Sequence, residues 1–474
     1  MPSDSVTNAS QQEALAARAP RRRGRLFRFS LRALMLLVLV SAIACGWVTN
    51  RMAQKRREEA AIKGFGQKAN VIRNYDKVPL GAGAYAMQPS GPQWLRKLLG
   101  QEFFNEIEGI SLTAVADDDL KRLAELKRVP QLSIPGNSNF GWCASVPKST
   151  GPEITDDGLV YVGELKDLRT LTIGSKNITD AGLRILNNLH QLRELTIAGA
   201  PLTDAGLEHL AGLVQLEKLD IRLPTMPDRQ ESAFGDLGLE HLKRLVRLKK
   251  LHIDLASITD AGMAHLAGMT QLEELELNSD NLTDAGLKHL QSLDHVKRLT
   301  LACPRMTDAA FADLAQMSGL EQLSIRKLEI TGRGLASLRD LAALTRLEIF
   351  NAQITDAGVA SIADLPRLKE LYIVDSAGIT DAVFAYLQKC SQLCTLYITG
   401  SDLNGSGLSY LERMPQLSEL TIECRSLDEA ALEPLKALSQ LRELHLRNFS
   451  YKRISQDAVG RLKSALPNCE LSFY

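Results

Sequence analysis

Aromatic residues make up only 5% of this 474-residue chain, so its interior must be filled by aliphatic side chains rather than rings. An excess of one charge is missing too: 56 Lys and Arg balance 56 Asp and Glu. With no bulk basicity, nothing in the composition argues for nucleic acid. Cysteine is sparse and odd in number, with seven residues scattered at 45, 143, 303, 390, 394, 424 and 469. The one close pair, Cys390 and Cys394, has a spacing that matches no common zinc or thioredoxin motif. That argues against a disulfide framework and leaves most of the cysteines as small apolar residues. Gly81-Ala82-Gly83 is followed by no Lys-Ser/Thr and preceded by no predicted strand, so it is no phosphate loop.

What is present is a phrase. Ile-Thr-Asp-Ala-Gly stands at Ile178–Gly182, Ile258–Gly262 and Ile354–Gly358, and Leu202–Gly206 and Leu282–Gly286 differ only in the first letter. Looser copies begin at Ile154, Met306, Ile330, Ile379, Leu403 and Leu427, and the prevailing step is 24 residues. Self-similarity at this period is the signature of a leucine-rich repeat solenoid, whose units cannot bury their apolar faces alone. The predicted fold is α/β, a horseshoe with an inner parallel sheet and short outer helices. Such a chain presents a long surface rather than one catalytic cleft.

One unit shows why the spacing works. Leu171-x-Ile173 has the period of a strand with alternate residues turned inward. Leu183, Leu186 and Leu189 lie on one face of a short helix. Thr179 or Asp180 is placed to cap that helix, and Asp180 suits the positive end of its dipole. Gly182 lets the helix approach its neighbour closely. A bulky residue at Gly262 should therefore destabilise the array. A weaker effect is expected at Gly407, whose unit reads Leu-Asn-Gly-Ser-Gly and has lost the Thr-Asp cap. The asparagine that commonly ladders between such repeats is absent: its column reads Lys176, Ala200, Ala256, Asp280, Pro304, Leu328, Ala352 and Ser401. Turn stability is then expected from the capped helix starts.

The N-terminus carries a second signal. Ala33 to Val48 is a run of 16 residues without charge. With its flanks it reaches the roughly 17–25 residues that span a bilayer. Arg21, Arg22, Arg23, Arg25, Arg28 and Arg32 precede it, Arg51, Lys55, Arg56 and Arg57 follow, and Trp47 sits where an interfacial aromatic would. The reading is a basic tail (1–30), a transmembrane helix (31–50), a juxtamembrane segment and cap (51–109), and the repeats (110–474). Counting Lys and Arg on the two sides narrowly favours a cytoplasmic N-terminus and an extracytoplasmic repeat domain. Ala42-Ile43-Ala44 before Cys45 leaves open a cleaved signal or a degenerate lipobox. In the juxtamembrane segment, Met52–Lys63 continues as a charged helix, Lys77–Pro92 reads as a loop, and Trp94–Leu99 is an amphipathic helix. With Phe103 and Phe104 that helix is expected to cover the first repeat's core.

The run Phe29-Ser30-Leu31-Arg32-Ala33-Leu34 into the span, the arginine-rich exit, the Trp94–Phe104 phrase and the Thr-Asp-Ala-Gly-Leu repeats resemble those of bacterial, planctomycete-type membrane-anchored leucine-rich repeat proteins. The resemblance runs from about residue 26 onward. It implies a non-catalytic binding module and carries over no catalytic residue.

Specificity is expected where the repeat leaves freedom. On the concave side of the strands, Asp220, Arg222, His252, Asp254, Glu276 and Asn278 form an ionisable cluster, and Phe350, Tyr372, Val374 and Tyr397 an aromatic-apolar one. The rings of Tyr372 and Tyr397, in adjacent repeats, should stand about 5 Å apart. Aromatics of this kind are favoured at binding hot spots, so the ligand expected is a protein or peptide. Two insertions, Pro135–Thr150 and Leu223–Gly235, leave the scaffold where recognition is often placed. His209, His241, His265 and His289 share a column on the helices and are read as structural or solvated, because metal sites need convergent ligands. No catalytic residue, metal or cofactor is expected. An exported lipoprotein with the same array is the runner-up, and a metal-dependent hydrolase a distant third.

Overall fold

In most repeats a Leu-x-Leu or Leu-x-Ile pair puts two aliphatic side chains on one face of a short strand, and these are buried: Leu171, Leu195, Leu219 and Leu347 are 0% exposed. The computed structural model describes residues 31–73, 75–81, 84–89, 92–100, 103–126, 128–136, 151–222, 234–254, 257–376, 378–400, 402–424, 427–448 and 454–473. It divides into two units, residues 1–56 and 57–474.

The first unit contains most of helix α1 (Leu31–Phe65), whose apolar residues Leu34 to Val40 and Trp47 are exposed. An 18-residue window of this helix has a mean hydropathy of 1.6, long and apolar enough to cross a membrane. The second unit opens with the end of α1, where Ala61 and Phe65 are buried in the repeat core. Strand β1 (Ala69–Arg73) follows, then β2 (Tyr75–Gly81) and β3 (Ala84–Pro89). β2 and β3 pair antiparallel. The stretch read as a loop over Lys77–Pro92 is thus mostly a hairpin. Gly81 pairs with Ala84 at the end of this hairpin, and Ala82 and Gly83 lie outside the described residues.

Strand β4 (Ile107–Leu112) pairs antiparallel with β1. After it every neighbour is parallel: β5 (Gln131–Ile134), β6 (Thr170–Gly174), β7 (Glu194–Ala198), β8 (Lys218–Arg222), β9 (Lys250–Asp254), β10 (Glu274–Asn278), β11 (Arg298–Ala302), β12 (Gln322–Arg326), β13 (Arg346–Phe350), β14 (Glu370–Val374), β15 (Thr395–Gly400), β16 (Glu419–Cys424), β17 (Glu443–Asn448) and β18 (Glu470–Phe473). The sheet has 16 strands in sequence order. The leucine column stays in register throughout, as in Leu251, Leu275 and Leu299. This is a leucine-rich repeat solenoid.

The ends are closed differently from expectation. Phe103 is 5% exposed, but Trp94 and Leu98, on the helix read as a lid, are 68% and 72% exposed. Ala61 and Phe65 pack into the repeat core instead, and Phe103 stands edge-on to Phe104 with ring centroids 5.1 Å apart. Seven residues offer too short an apolar face to seal a two-layer core, whereas the last turn of a long helix is already fixed in direction. At the other end, the helix Gln456–Ala465 buries Ala458 and Leu462.

The helical side mixes α and 3-10 turns, the latter at Asp284–Leu290, Arg333–Asp340 and Leu408–Arg413. The apolar residues recur every third position, and a 3-10 turn has three residues. The Thr-Asp phrase is both cap and link. Thr179 Oγ1 accepts from Ala181 N–H at 3.3 Å, so threonine caps its own helix. Asp180 serves the next repeat: it accepts from the backbone N–H of Thr203 at 2.9 Å and from its hydroxyl at 2.6 Å. The same pair joins Asp117 to Thr155, Asp156 to Thr179, Asp236 to Thr259, Asp260 to Thr283, Asp284 to Thr307 and Asp356 to Thr380. This carboxylate ladder stands in for the missing asparagine ladder.

The glycine column makes room for it. A Cβ on Gly182, Gly206 or Gly262 would overlap Oδ1 of Asp156, Asp180 or Asp236. Gly407 is no exception: Asn404 takes the threonine position, accepting from Ser406 N–H, while Asp381 accepts from Asn404 N–H at 2.7 Å and Gly407 N–H at 3.0 Å. A Cβ there would run into the Asp381 carbonyl oxygen, so the milder effect expected at Gly407 does not follow from its contacts. Asp308 accepts from Thr331 and from the N–H groups of Gly332 and Gly334. Burial pushes its carboxyl up, but these bonds outweigh that and hold it below the ordinary carboxylate range.

Candidate binding face

Period two places three side chains of each strand on the face away from the helices: the residue before the first anchor, the one between anchors, and the one after the second. The last two columns supply the sequence candidates, and the first lies on the same face.

In the first cluster, β8 to β10 bring Asp220, His252 and Glu276 side by side in register. Asp220 is only 3% exposed, because Arg222 folds back across it. Arg222 Nε donates to Asp220 Oδ1 at 2.7 Å, and its two terminal nitrogens donate to both oxygens of Glu276 at 3.1 Å. His252 Nδ1 lies 3.4 Å from Asp220 Oδ2. Burial pushes the Asp220 carboxyl up, but the hydrogen bond with His252 and the Arg222 charge prevail and lower it. Arg222 is raised by Glu276 and Asp220 in spite of its own burial.

The first column adds Glu274, Lys250 and Arg298, which sequence reasoning missed although their parity along the strand marks them. Glu274 Oε1 lies 2.7 Å from Lys250 Nζ and also contacts Arg298. Asn278 is half-buried at the end of β10. Asp254 stands at the end of β9, and its side chain lies outside the described residues. The insertion residues 137–150 and 223–233 lie outside them as well.

The second cluster lies on β13 to β15. Tyr372 and Tyr397 are stacked, with ring centroids 6.0 Å apart and planes inclined by 24°. Val374 pairs with Phe350 in the adjacent strand. The patch is not the bare apolar surface expected. Arg346 lies 4.6 Å from the Tyr372 ring and Arg326 5.5 Å from Phe350, the placement of a cation–π contact. Arg346 Nε also donates to Glu348 at 2.7 Å, and its Nη1 donates to Glu370 at 2.5 Å. The Tyr397 hydroxyl donates to Glu423 at 2.9 Å. Burial and that bond push the phenol up to about 12. Beyond it a recess of about 430 Å³ is lined by Tyr397, Thr421, Glu423, His445 and Arg447.

Lys327, Asn351 and Asp375 have φ of 59°, 51° and 54°. They follow β12, β13 and β14 directly, so three successive non-glycine residues in left-handed backbone border the aromatic cluster. In the same column the earlier Gly199 has φ 75°.

His209, His241, His265 and His289 lie on helical segments. Among the described residues no group of three or more His, Cys, Asp or Glu is placed to hold a metal ion. Cys303 and Cys390 are buried, and burial pushes their thiols up to about 11. Cys143 is outside the described residues.

No protein-family profile matches this sequence, and no curated protein matches it. Among solved structures the chain is similar to an internalin from Listeria monocytogenes, at 22% identity and a TM-score of 0.49 over 74% of this chain and 92% of that one. A leucine-rich repeat protein from Leptospira interrogans matches at 16% identity and a TM-score of 0.48, over 77% of this chain and 89% of that one. A chain of the yeast Rad7–Elc1 complex matches at 15% identity and a TM-score of 0.48, over 94% of this chain and 98% of that one.

Proposed function

We propose that this chain is a membrane-anchored leucine-rich repeat protein of the bacterial, planctomycete-like kind that binds another protein or a peptide along the open face of its sheet. Its residues 31–50 cross the membrane, the 1–30 tail is cytoplasmic, 51–109 join span to array, and 110–474 form an extracytoplasmic binding domain. The observation that carries this is local. On the helical side successive repeats carry the same side chains in the same bonds, whereas the open face from β8 to β17 carries a different group on nearly every strand. A surface free to vary on a rigid frame is where recognition is built. Asp220, Arg222, His252, Asp254, Glu276 and Asn278 set selectivity through charge. Phe350, Tyr372, Val374 and Tyr397 provide affinity as rigid rings.

The test uses the full chain in detergent micelles as bait, with the recovered partner then titrated against variants. Tyr372→Ala with Tyr397→Ala should weaken binding at least ~10-fold, since truncating such anchors typically costs about 2 kcal/mol. Unchanged affinity there, with binding lost on changing His241 and His265, would place the partner on the helical side.

The exported lipoprotein is the second reading, favoured by Ala42-Ile43-Ala44 before Cys45. Mass spectrometry of the membrane-extracted protein separates the two: an intact N-terminus supports the uncleaved anchor, and one starting at Cys45 the lipoprotein.

A further inference from the structure

Midway along the open face, between the two clusters, the Ser324 hydroxyl is buried without a hydrogen-bond partner. The residue is 7% exposed. Register sets it between Thr300 on β11 and Glu348 on β13. A cleft of about 90 Å³ lies over it, walled by Arg298, Thr300, Gln322, Arg346 and Glu348. Buried polar groups are almost always satisfied, and each exception asks for an explanation. Nothing in the repeat pattern requires a serine here. Valine or alanine would fill the same site without stranding a donor.

Charge narrows the occupant. Arg298 is engaged by Glu274, and Arg346 by Glu348 and Glu370. Both cations are therefore already neutralised. An incoming carboxylate would meet Glu348, and an incoming ammonium or guanidinium would meet Arg298 and Arg346. A neutral group that donates and accepts together satisfies both walls, with N–H toward Glu348 and C=O toward Ser324 and the guanidinium groups. The cleft also holds only a few heavy atoms, in keeping with a group as small as a carboxamide.

We propose that this cleft takes the side-chain carboxamide of an Asn or Gln residue in an extended peptide lying along the open face, beside the Tyr372–Tyr397 stack. The inference rests on the peptide-binding reading above and specifies its central contact. Ser324 supplies a hydrogen bond that the free protein leaves unmade at this point of the face.

A random peptide library is displayed on phage and panned against the full-length protein in detergent micelles; enriched peptides are then synthesised and titrated. The expected result is Asn or Gln at one position near an aromatic or aliphatic residue, with about 10-fold loss of affinity when it is replaced by Ala or Glu. Ser324→Ala should weaken the carboxamide peptide similarly and leave its Ala-substituted version unchanged. Because the hydroxyl has no internal partner, Ser324→Ala should not lower the melting temperature; a lower one would reveal a structural role and overturn the proposal. Peptides that respond to the Tyr372→Ala and Tyr397→Ala pair but favour Asp or Glu, or show no preference, would overturn the carboxamide site alone. Failure to enrich any peptide, or enrichment of peptides indifferent to the tyrosine pair, would overturn the face reading with it.

Discussion

Acidic residues stand on both sides of this solenoid and do opposite things. On the helical side Asp180, Asp236 and Asp260 each meet the same partner, the threonine one repeat on, with both oxygens committed. On the open face Asp220, Glu274 and Glu276 meet arginine, lysine and histidine in arrangements that do not recur from one repeat to the next. The first set is periodic because its job, tying one unit to the next, is the same at every step. The second is aperiodic because it has no such job. Repetition therefore marks architecture, and departure from it marks the surface on which we place the proposed partner.

The hardest way to break that contrast is to strike the ladder. Gly262→Leu would drive a side chain into Asp236 and should cost about 3 kcal/mol through overpacking and loss of the Asp236–Thr259 bonds, read as a fall in urea midpoint. Gly407→Leu should cost a comparable amount, since the Asp381 carbonyl has no more room to yield. No shift at Gly262 would mean the ladder contributes nothing to stability.

Acid sharpens the comparison. Asp220 on the face and Asp308 on the ladder both titrate below the ordinary carboxylate value. A depressed folded pKa contributes stability that is full above the unfolded value of about 4 and is lost as pH falls through the folded one. Stability should therefore drop below about pH 4. Asp220→Asn and Asp308→Asn should each lower the neutral-pH stability by about 2 kcal/mol, and each variant should approach the parent at pH 2.5. Parallel curves at both pH values would remove these carboxylates from the acid response.

The smallest effect concerns the strained row. Lys327→Gly should stabilise the fold by about 0.5–1 kcal/mol, because glycine adopts left-handed backbone without the penalty a side chain incurs. Such strain tends to persist at functional sites. If Lys327→Gly raises the melting temperature and leaves partner binding untouched, the row borders the site without belonging to it.

Much of this was legible in the sequence. The strand leucines, the capping threonines and the glycine column all follow from a period that admits one folded form. The Asp–Thr link was not legible, because within one unit Asp180 looks like a cap for its own helix. Only the 24-residue offset between stacked units shows that it reaches Thr203. Glu274, Lys250 and Arg298 were missed for a simpler reason: they precede the anchor pair, where the strand had not visibly begun. Arg346 over Tyr372 lies beyond pattern altogether, since a long side chain chooses its direction from whatever the neighbouring strands offer.

Taken alone, the sequence determined the unit, its repetition, the apolar N-terminal helix and which strand positions escape the core. Those depend on local periodicity and on the burial of leucine, which recur identically in every repeat. Tertiary structure alone decided which carboxylate ties which repeat, that Ala61 and Phe65 join the repeat core, and that Ser324 lies unpartnered in a cleft walled by two arginines. Those depend on contacts across strands, where the partner of a side chain is set by stacking and not by its neighbours in the chain.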